Sequence, residues 1–388
     1  MISPSSTKKS LLFSPTWAYY AAFIALGLIT ASLGPTLPGL AENTGTLLSE
    51  VSFLFLARGF GYLIGSFIGG RLYDRIPGHP VMIGSLAMLG LLMALVPLMP
   101  LLWGVTALLW LIGIAEGMLD VGGNTLIVWV HGDKVGPFMN GLHFVFGIGA
   151  FLSPIIIAQA MLIGGGITWA YWILALLMCP ALFWLLRLPS PTSQIVTQQE
   201  GGEQVNYLLI ALIAAFFFFY AGAEVSLSGW LFTYAFEQGL ADETMAAYLT
   251  SAFFGAFTVG RLFSIPIATR LTPRTILLVD LLGALIAMGL ILLWASSVMI
   301  LWIGTILMGF AVASIFPTML SFAERNLTIT GHTTSWFFVG ASLGAMSFPW
   351  LIGQLFESIG PQVVMLTIFG SLLVTMGLFV LLMKVSGE

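Results

Sequence analysis

The sequence predicts an all-α integral membrane protein of twelve transmembrane helices arranged as two six-helix bundles. Three observations carry this. Of the 388 residues, 59% are hydrophobic and only 7% charged, with a mean hydropathy of +1.04, against about a quarter charged in ordinary soluble domains. Twelve apolar runs each reach the ~20 residues a helix needs to cross the hydrocarbon core. One polar, Pro/Ser/Gly-rich stretch, residues 189–205, divides the runs six and six and reads as a linker between residues 1–188 and 206–388.

The predicted spans are 16–40, 48–72, 80–99, 101–130, 137–163, 167–187, 206–236, 244–270, 274–295, 298–323, 332–356 and 361–384. Lys8 and Lys9 precede the first run, but no cleavage site follows it, so it is read as span 1 and not as a removed signal peptide. Spans 1, 5, 10 and 11 hold Pro35 and Pro38, Pro154, Pro317, and Pro349, each of which frees a backbone carbonyl and allows a bend. With the N-terminus inside, the inner loops hold Lys8, Lys9, Arg71, Arg75, Lys134, Arg187, Arg270, Arg274, Arg325 and Lys384. The outer ones hold Glu42, Glu237, Asp242, Glu243 and Glu357. The positive-inside rule then expects both termini in the cytoplasm and the chain in the plasma (inner) membrane. The single cysteine, Cys179, excludes an internal disulfide framework and a multi-thiolate metal site.

A shift of 195 residues superposes glycines at 27/222, 34/229, 65/260, 136/331, 149/344 and 165/360, together with Arg75/Arg270 and Pro154/Pro349. Matches of that kind expect a parallel duplication of one six-helix unit.

Charge inside the spans marks function, because an ionised group at membrane depth is costly. Span 4 contains Gly113-Ile-Ala-Glu-Gly-Met-Leu-Asp-Val-Gly-Gly-Asn124, in which Glu116, Asp120 and Asn124 recur every four residues and share one helix face. Arg58 in span 2 is expected to neutralise one of these acids, and Arg58, Glu116 and Asp120 form the candidate coupling set. Glu224 in span 7 stands beside Gly222 and Gly229. Arg261 in span 8 is expected in a structural ion pair, and Asp280 in span 9 as a helix-end charge. Asn124, Asn140, Gln159 and Gln354 offer neutral donors and acceptors suited to hydroxyl-rich ligands. Trp129, Tyr220, Trp230, Tyr234, Phe316 and Trp336 offer faces on which a sugar ring can stack. The expected substrate-binding set is Asn124, Asn140, Gln159, Glu224, Trp230, Trp336 and Gln354. Asp120, Asn124 and Thr125, with carbonyls from a helix opened at Gly122-Gly123, form a candidate Na⁺ site by hard-cation logic. Burial of one carboxylate would serve a proton equally. No nucleotide-binding, nucleophile or nucleic-acid motif is present, so neither a primary pump nor an enzyme is expected.

The loop after span 2, Gly70-Arg-Leu-Tyr-Asp74-Arg75-Ile-Pro-Gly78-His79, resembles the loop signature of the major facilitator superfamily. It has one extra residue before Gly78 and a histidine where a basic residue is usual. The resemblance implies a gate at Gly70, Asp74 and Arg75, with Asp74 receiving an arginine or capping a helix N-terminus. Gly34-Pro-Thr-Leu-Pro-Gly39, Ala57-Arg-Gly-Phe-Gly-Tyr-Leu-Ile-Gly65, Leu142-His-Phe through Ser-Pro154, Tyr220 through Tyr234, and Phe316-Pro-Thr318 occur in an order similar to the fucose–proton symporter family, and within it to the sodium-dependent glucose transporter branch. That resemblance implies the major facilitator fold, no cofactor, and a monomer importing a neutral monosaccharide with H⁺ or Na⁺. Span 1 has no acid, although the fucose symporter couples partly through one there, which leaves Glu116, Asp120 and Glu224 as coupling candidates. The alternative carried by the same membrane acids is a proton-coupled drug or metabolite exporter, and a lipid flippase is a third.

Overall fold

The computed structural model describes residues 4–164, 166–191, 206–327 and 331–386. These are helices joined by short turns, with no strand among the described residues. Eleven helices are long and apolar enough to cross a membrane, and a bent pair supplies the twelfth. The linker 189–205 lies for the most part outside the described residues.

Proline decides where two spans break. Span 1 runs as Pro4–Thr30 and Leu33–Thr44, bent by 47°. Pro35 has no N–H for the carbonyl of Ala31 and its ring crowds that carbonyl, so the helix gives way at 31–32. Span 10 runs as Val298–Val312 and Ile315–Asn326 for the same reason, with Pro317 four residues after Ala313. Pro154 and Pro349 sit inside unbroken helices, Val135–Gly164 and Gly331–Ile359.

The chain divides into two compact units, one of Met1–Gly45 with Ala57–Thr197, the other of Thr46–Leu56 with Gln198–Glu388. The start of span 2 therefore belongs with the second unit. There Gln354 donates to the Ser49 carbonyl at 2.7 Å and to Ser52 Oγ at 3.2 Å, and the Ser49 N–H donates to Glu357 at 3.1 Å.

Within the first unit, spans 2 (Phe53–Tyr73) and 4 (Leu102–His131) meet along glycines. A Cβ at Gly113 would lie 2.1 Å from the Arg58 carbonyl, and one at Gly117 would lie 2.3 Å from the Tyr62 carbonyl. Lipid tails provide no hydrophobic drive between helices, so such backbone approach supplies the attraction instead. The first part of span 1 is anchored by two imidazoles. Thr16 meets His131 at 2.8 Å and Tyr19 meets His79 at 2.8 Å. Buried His79 also meets the Leu188 carbonyl at 3.0 Å through Nδ1. That carbonyl can only accept, so Nδ1 carries the proton. The histidine of the loop signature thus ties three segments together instead of adding surface charge.

Candidate functional site

The span 2–span 4 seam positions the site. Each close glycine brings a long side chain of one helix alongside an acid one turn further on the other. Arg58 stands by Gly113 and reaches Glu116; Tyr62 stands by Gly117 and reaches Asp120. The guanidinium grips Glu116 in a fork, Nε–Oε2 at 2.7 Å and Nη2–Oε1 at 2.5 Å, the geometry that makes arginine–carboxylate pairs strong. It is the one ion pair among the described residues, and Glu116 is only 3% exposed. Thr30 adds a hydroxyl to Glu116 at 3.4 Å.

Arg58 also closes the break in span 1. Its Nη2 donates to the Ile29 carbonyl at 3.0 Å and Nη1 to the Thr30 carbonyl at 3.3 Å. The Ile29 carbonyl also accepts the Ser32 N–H at 3.0 Å and the Ser32 hydroxyl at 2.7 Å, so Arg58 joins donors already present at the break. One residue therefore holds a carboxylate on span 4 and the hinge of span 1 together.

Asp120 has a different environment. It accepts from the Tyr62 hydroxyl on one oxygen and from the Asn124 amide at 3.0 Å on the other, and no cation among the described residues pairs with it. Asn124 also donates to the Asp120 carbonyl at 2.9 Å. With both carboxylates ionised, one guanidinium would leave this part of the membrane interior one negative charge in excess. Each oxygen of Asp120 accepts one donor and keeps a further lone pair for a cation.

Glu116, Asp120, Asn124 and Arg58 are thus brought together as the spacing predicts, but the structure sorts them into two separate pairs. Tyr62 and Thr30 were missed. The signal for Tyr62 was present, since it follows Arg58 by the four residues that separate Asp120 from Glu116. The opening of span 4 at Gly122-Gly123 does not occur. Leu102–His131 is one continuous helix, and the two glycines instead admit Tyr73 and the Phe23 ring, which would stand 2.0 and 1.9 Å from an added Cβ. Span 4 accordingly offers no free carbonyls there. Thr125 follows Asn124 on the same helix, half-buried.

The other expected residues scatter. Trp230 is fully buried, donates to the Pro349 carbonyl at 2.9 Å and stacks on Phe356, which makes it a packing residue and not a sugar platform. Gln354 is engaged by Ser49 and Ser52. Asn140 and Gln159 are exposed, and Trp336 is 51% exposed. Asp74 and Arg75 lie exposed in the turn after span 2. Asp74 forms no ion pair among the described residues, so the arginine expected for it is not its partner in this conformation. The loop turns there after Gly70, whose carbonyl accepts the Asp74 N–H at 3.4 Å.

Two expectations for the second unit are corrected. Among the described residues Arg261 belongs to no ion pair; it lies 4.6 Å over the Phe257 ring, and its Nε is buried with no hydrogen-bond partner there. Asp280 is no mere helix-end charge; it accepts the hydroxyl of Ser314, which stands in the break of span 10.

Comparison with known proteins agrees with this architecture. The Major Facilitator Superfamily description matches residues 19–349. A Homo sapiens protein described as sodium-dependent glucose transporter 1 is 33% identical over 407 residues, covering 94% of this chain and 78% of that protein. Sodium-dependent glucose transporter 1A of Mus musculus is 32% identical, covering 95% and 96%. Among solved structures, a D-xylose-proton symporter superposes with a TM-score of 0.78 at 13% identity, covering 94% of this chain and 97% of that one. The nucleoside transporter NupG gives 0.74 at 14% identity, covering 96% and 99%. The duplicated six-helix pattern, the loop at Asp74-Arg75 and the buried charges of spans 2 and 4 therefore have one common explanation: the chain is a membrane transporter belonging to the Major Facilitator Superfamily, and its relatives include the sodium-dependent glucose transporters.

Proposed function

We propose that this transporter imports a neutral monosaccharide, with glucose the first candidate, by alternating access driven by Na⁺. The observation that carries the coupling is Asp120, a membrane carboxylate held by Tyr62 and Asn124 but by no cation, beside an Arg58–Glu116 pair that is already neutral. One monovalent cation balances the excess charge. With the cation bound, the site is neutral and its movement through an apolar environment becomes affordable; empty, it carries a charge that opposes such movement. That asymmetry couples ion to solute. The lone pairs left on Asp120, the Asn124 side-chain oxygen and the Thr125 hydroxyl are hard ligands suited to Na⁺. The names of the relatives support both the sugar and the ion. Exchange of a drug for protons is the less supported reading, because the acids here are dressed by amide, hydroxyl and guanidinium and not by an apolar pocket.

Proteoliposomes test the reading. Labelled glucose uptake at fixed pH should rise with an inward Na⁺ gradient and fall to the passive level when choline replaces Na⁺. Full uptake in choline that collapses with a protonophore would make the coupling ion a proton. Absence of glucose counterflow in either medium would remove the sugar assignment.

A further inference from the structure

Span 6 is a third broken helix, and its break opens a groove in the first unit. It runs as Ile167–Leu176 and Cys179–Leu185, packed against span 3 (Gly78–Leu95). Pro180 has no N–H for the Leu176 carbonyl and its ring crowds that carbonyl, so the helix gives way at 177–178. The repeat position in the second unit, 195 residues on, is Thr375, and span 12 is continuous there over Gln362–Ser386. Beside the break lies a cavity of about 490 Å³ between spans 3 and 6, within the size range of ligand sites. Ala87, Gly90 and Ala94 of span 3 and Ala175 of span 6 line it with no more than a methyl group each. Leu91 and Leu176 line it as well and are 63% and 68% exposed, so the groove is open along one side.

The lining asks for hydrocarbon. The Trp172 N–H is committed to the Ala94 carbonyl at 3.2 Å, and the remaining lining side chains are apolar or carry sulfur. From Trp172 to Leu182 the groove follows span 6 for about 15 Å at 1.5 Å per residue, half the thickness of the hydrocarbon core and so the depth that the chains of one leaflet fill. Beyond Leu182 the same helix leads to the exposed Trp184 and then to Arg187. Among the described residues the Arg187 side chain has no ion pair and no hydrogen bond; only its backbone N–H is used, by the Trp184 carbonyl at 3.1 Å. An apolar groove thus ends at an unneutralised guanidinium, with a tryptophan beside it of the kind that settles at headgroup level. A second copy of the chain packed here about a two-fold axis along the membrane normal would bring another Arg187 to the same depth and add charge instead of cancelling it. A molecule with an acyl chain and a phosphate does both tasks, since it fills the groove and offers the guanidinium the oxygens that it grips as a fork.

We propose that the groove between spans 3 and 6 binds one anionic phospholipid, with a chain lying from Leu182 toward Trp172 and the phosphate on Arg187. The lipid comes from the leaflet on the Arg187 side. Its chain covers the notch that Pro180 leaves in the helix, and its charge is balanced without any acid of the protein.

The test uses neither sugar nor sodium, so its outcome is independent of the transport reading. The full chain, stripped of lipid in detergent, is titrated with phosphatidylglycerol or phosphatidylcholine, and native mass spectrometry counts the adducts. One tight phosphatidylglycerol adduct per chain is expected, held about five-fold more tightly than phosphatidylcholine, which is the worth of one basic residue at an anionic surface. Arg187→Gln should erase that preference, and inorganic phosphate should not compete, because it has no chain. Gly90→Leu should abolish the tight adduct of both lipids. Its Cβ meets only ordinary contacts, 3.5 Å to the Ala175 carbonyl and 3.7 Å to Met178, so the rest of the side chain is free to fill the groove. Cys179, the single cysteine of the chain, lines the groove and gives a second readout on the unmutated protein: its alkylation by N-ethylmaleimide should slow several-fold when phosphatidylglycerol is bound. Equal binding of the two lipids, a preference that survives Arg187→Gln, or an adduct untouched by Gly90→Leu overturns the proposal. A species of twice the mass that Gly90→Leu dissociates would make the groove a contact between copies and overturn it as well. If Gly90→Leu does not fold, alkylation of Cys179 at the same rate with and without phosphatidylglycerol overturns it instead.

Discussion

Replacing Arg58 by methionine tests whether the fork to Glu116 organises the first unit. Methionine keeps the length and volume of the stem but removes four hydrogen bonds: two to Glu116, and one each to the Ile29 and Thr30 carbonyls. Removing one partner of a buried pair costs roughly 3–5 kcal/mol, because the other charge is stranded. With unfolding entropy near 2.1 cal/mol/K per residue, a loss of about 4 kcal/mol lowers Tm by about 5 °C if the whole chain melts together, and by about twice that if the first unit melts alone. The assay is thermal unfolding in lipid nanodiscs at one fixed scan rate, because membrane proteins of this size unfold irreversibly. The second arm is Arg58→Met with Glu116→Gln. It strands no charge and should recover about 2–3 kcal/mol of the loss, a coupling typical of contacting residues in one network. If the double variant is as unstable as the sum of the two singles, the pair is not the organising contact.

Three further outcomes follow from the same geometry. Asp120→Asn should abolish gradient-driven glucose accumulation while counterflow, which needs no driving ion, stays within a few-fold of wild type; undiminished accumulation would remove Asp120 from coupling. Gly117→Leu places a Cβ where Tyr62's carbonyl stands 2.3 Å away, so the seam must spread and stability should fall by roughly 1–3 kcal/mol or more, against little change for Gly84→Leu, where nothing lies within 4 Å. Pro317→Ala restores an N–H for the Ala313 carbonyl and permits a continuous span 10. It should raise Tm while slowing turnover, and unchanged turnover would argue against a hinge at 313–314.

The fold was largely legible. Apolar runs longer than the bilayer is thick admit few architectures. The breaks at 31–32 and 313–314 were readable as well, since Pro35 and Pro317 each stand four residues beyond them. Partners were harder to read. The acids of span 4 announced themselves by their cost in lipid, and Arg58 by theirs, but Tyr62 did not. A tyrosine among nine, in a chain with 30 phenylalanines and 12 tryptophans, carries no signal in composition. Only the shared spacing of four residues and the facing glycines Gly113 and Gly117 identify it. Asp280 was misread because its position along span 9 suggested a helix end. What makes it matter is Ser314, and that residue is available only because span 10 breaks there. Trp230 and Gln354 show the opposite difficulty: side chains suited to sugar are equally suited to helix packing, and spacing cannot tell which surface they face.

Each unit has met the same difficulty with similar means. A proline break in a membrane helix leaves carbonyls without donors, and an unsatisfied carbonyl in hydrocarbon costs several kcal/mol. Water cannot serve where lipid and side chains exclude it, so a side chain must. In the first unit the donors are Ser32 and Arg58, both on Ile29, with Arg58 also on Thr30; in the second the donor is Tyr220, on Val312. Arg58 also spends its remaining N–H groups on Glu116. Satisfying the break and satisfying the acid therefore draw on one side chain in the first unit. A change in the charge of the acid alters the strength of the bond to the hinge, and straightening the hinge releases a donor to the acid. A proline alone would give a bend without a signal, and an ion pair alone would give a signal without movement.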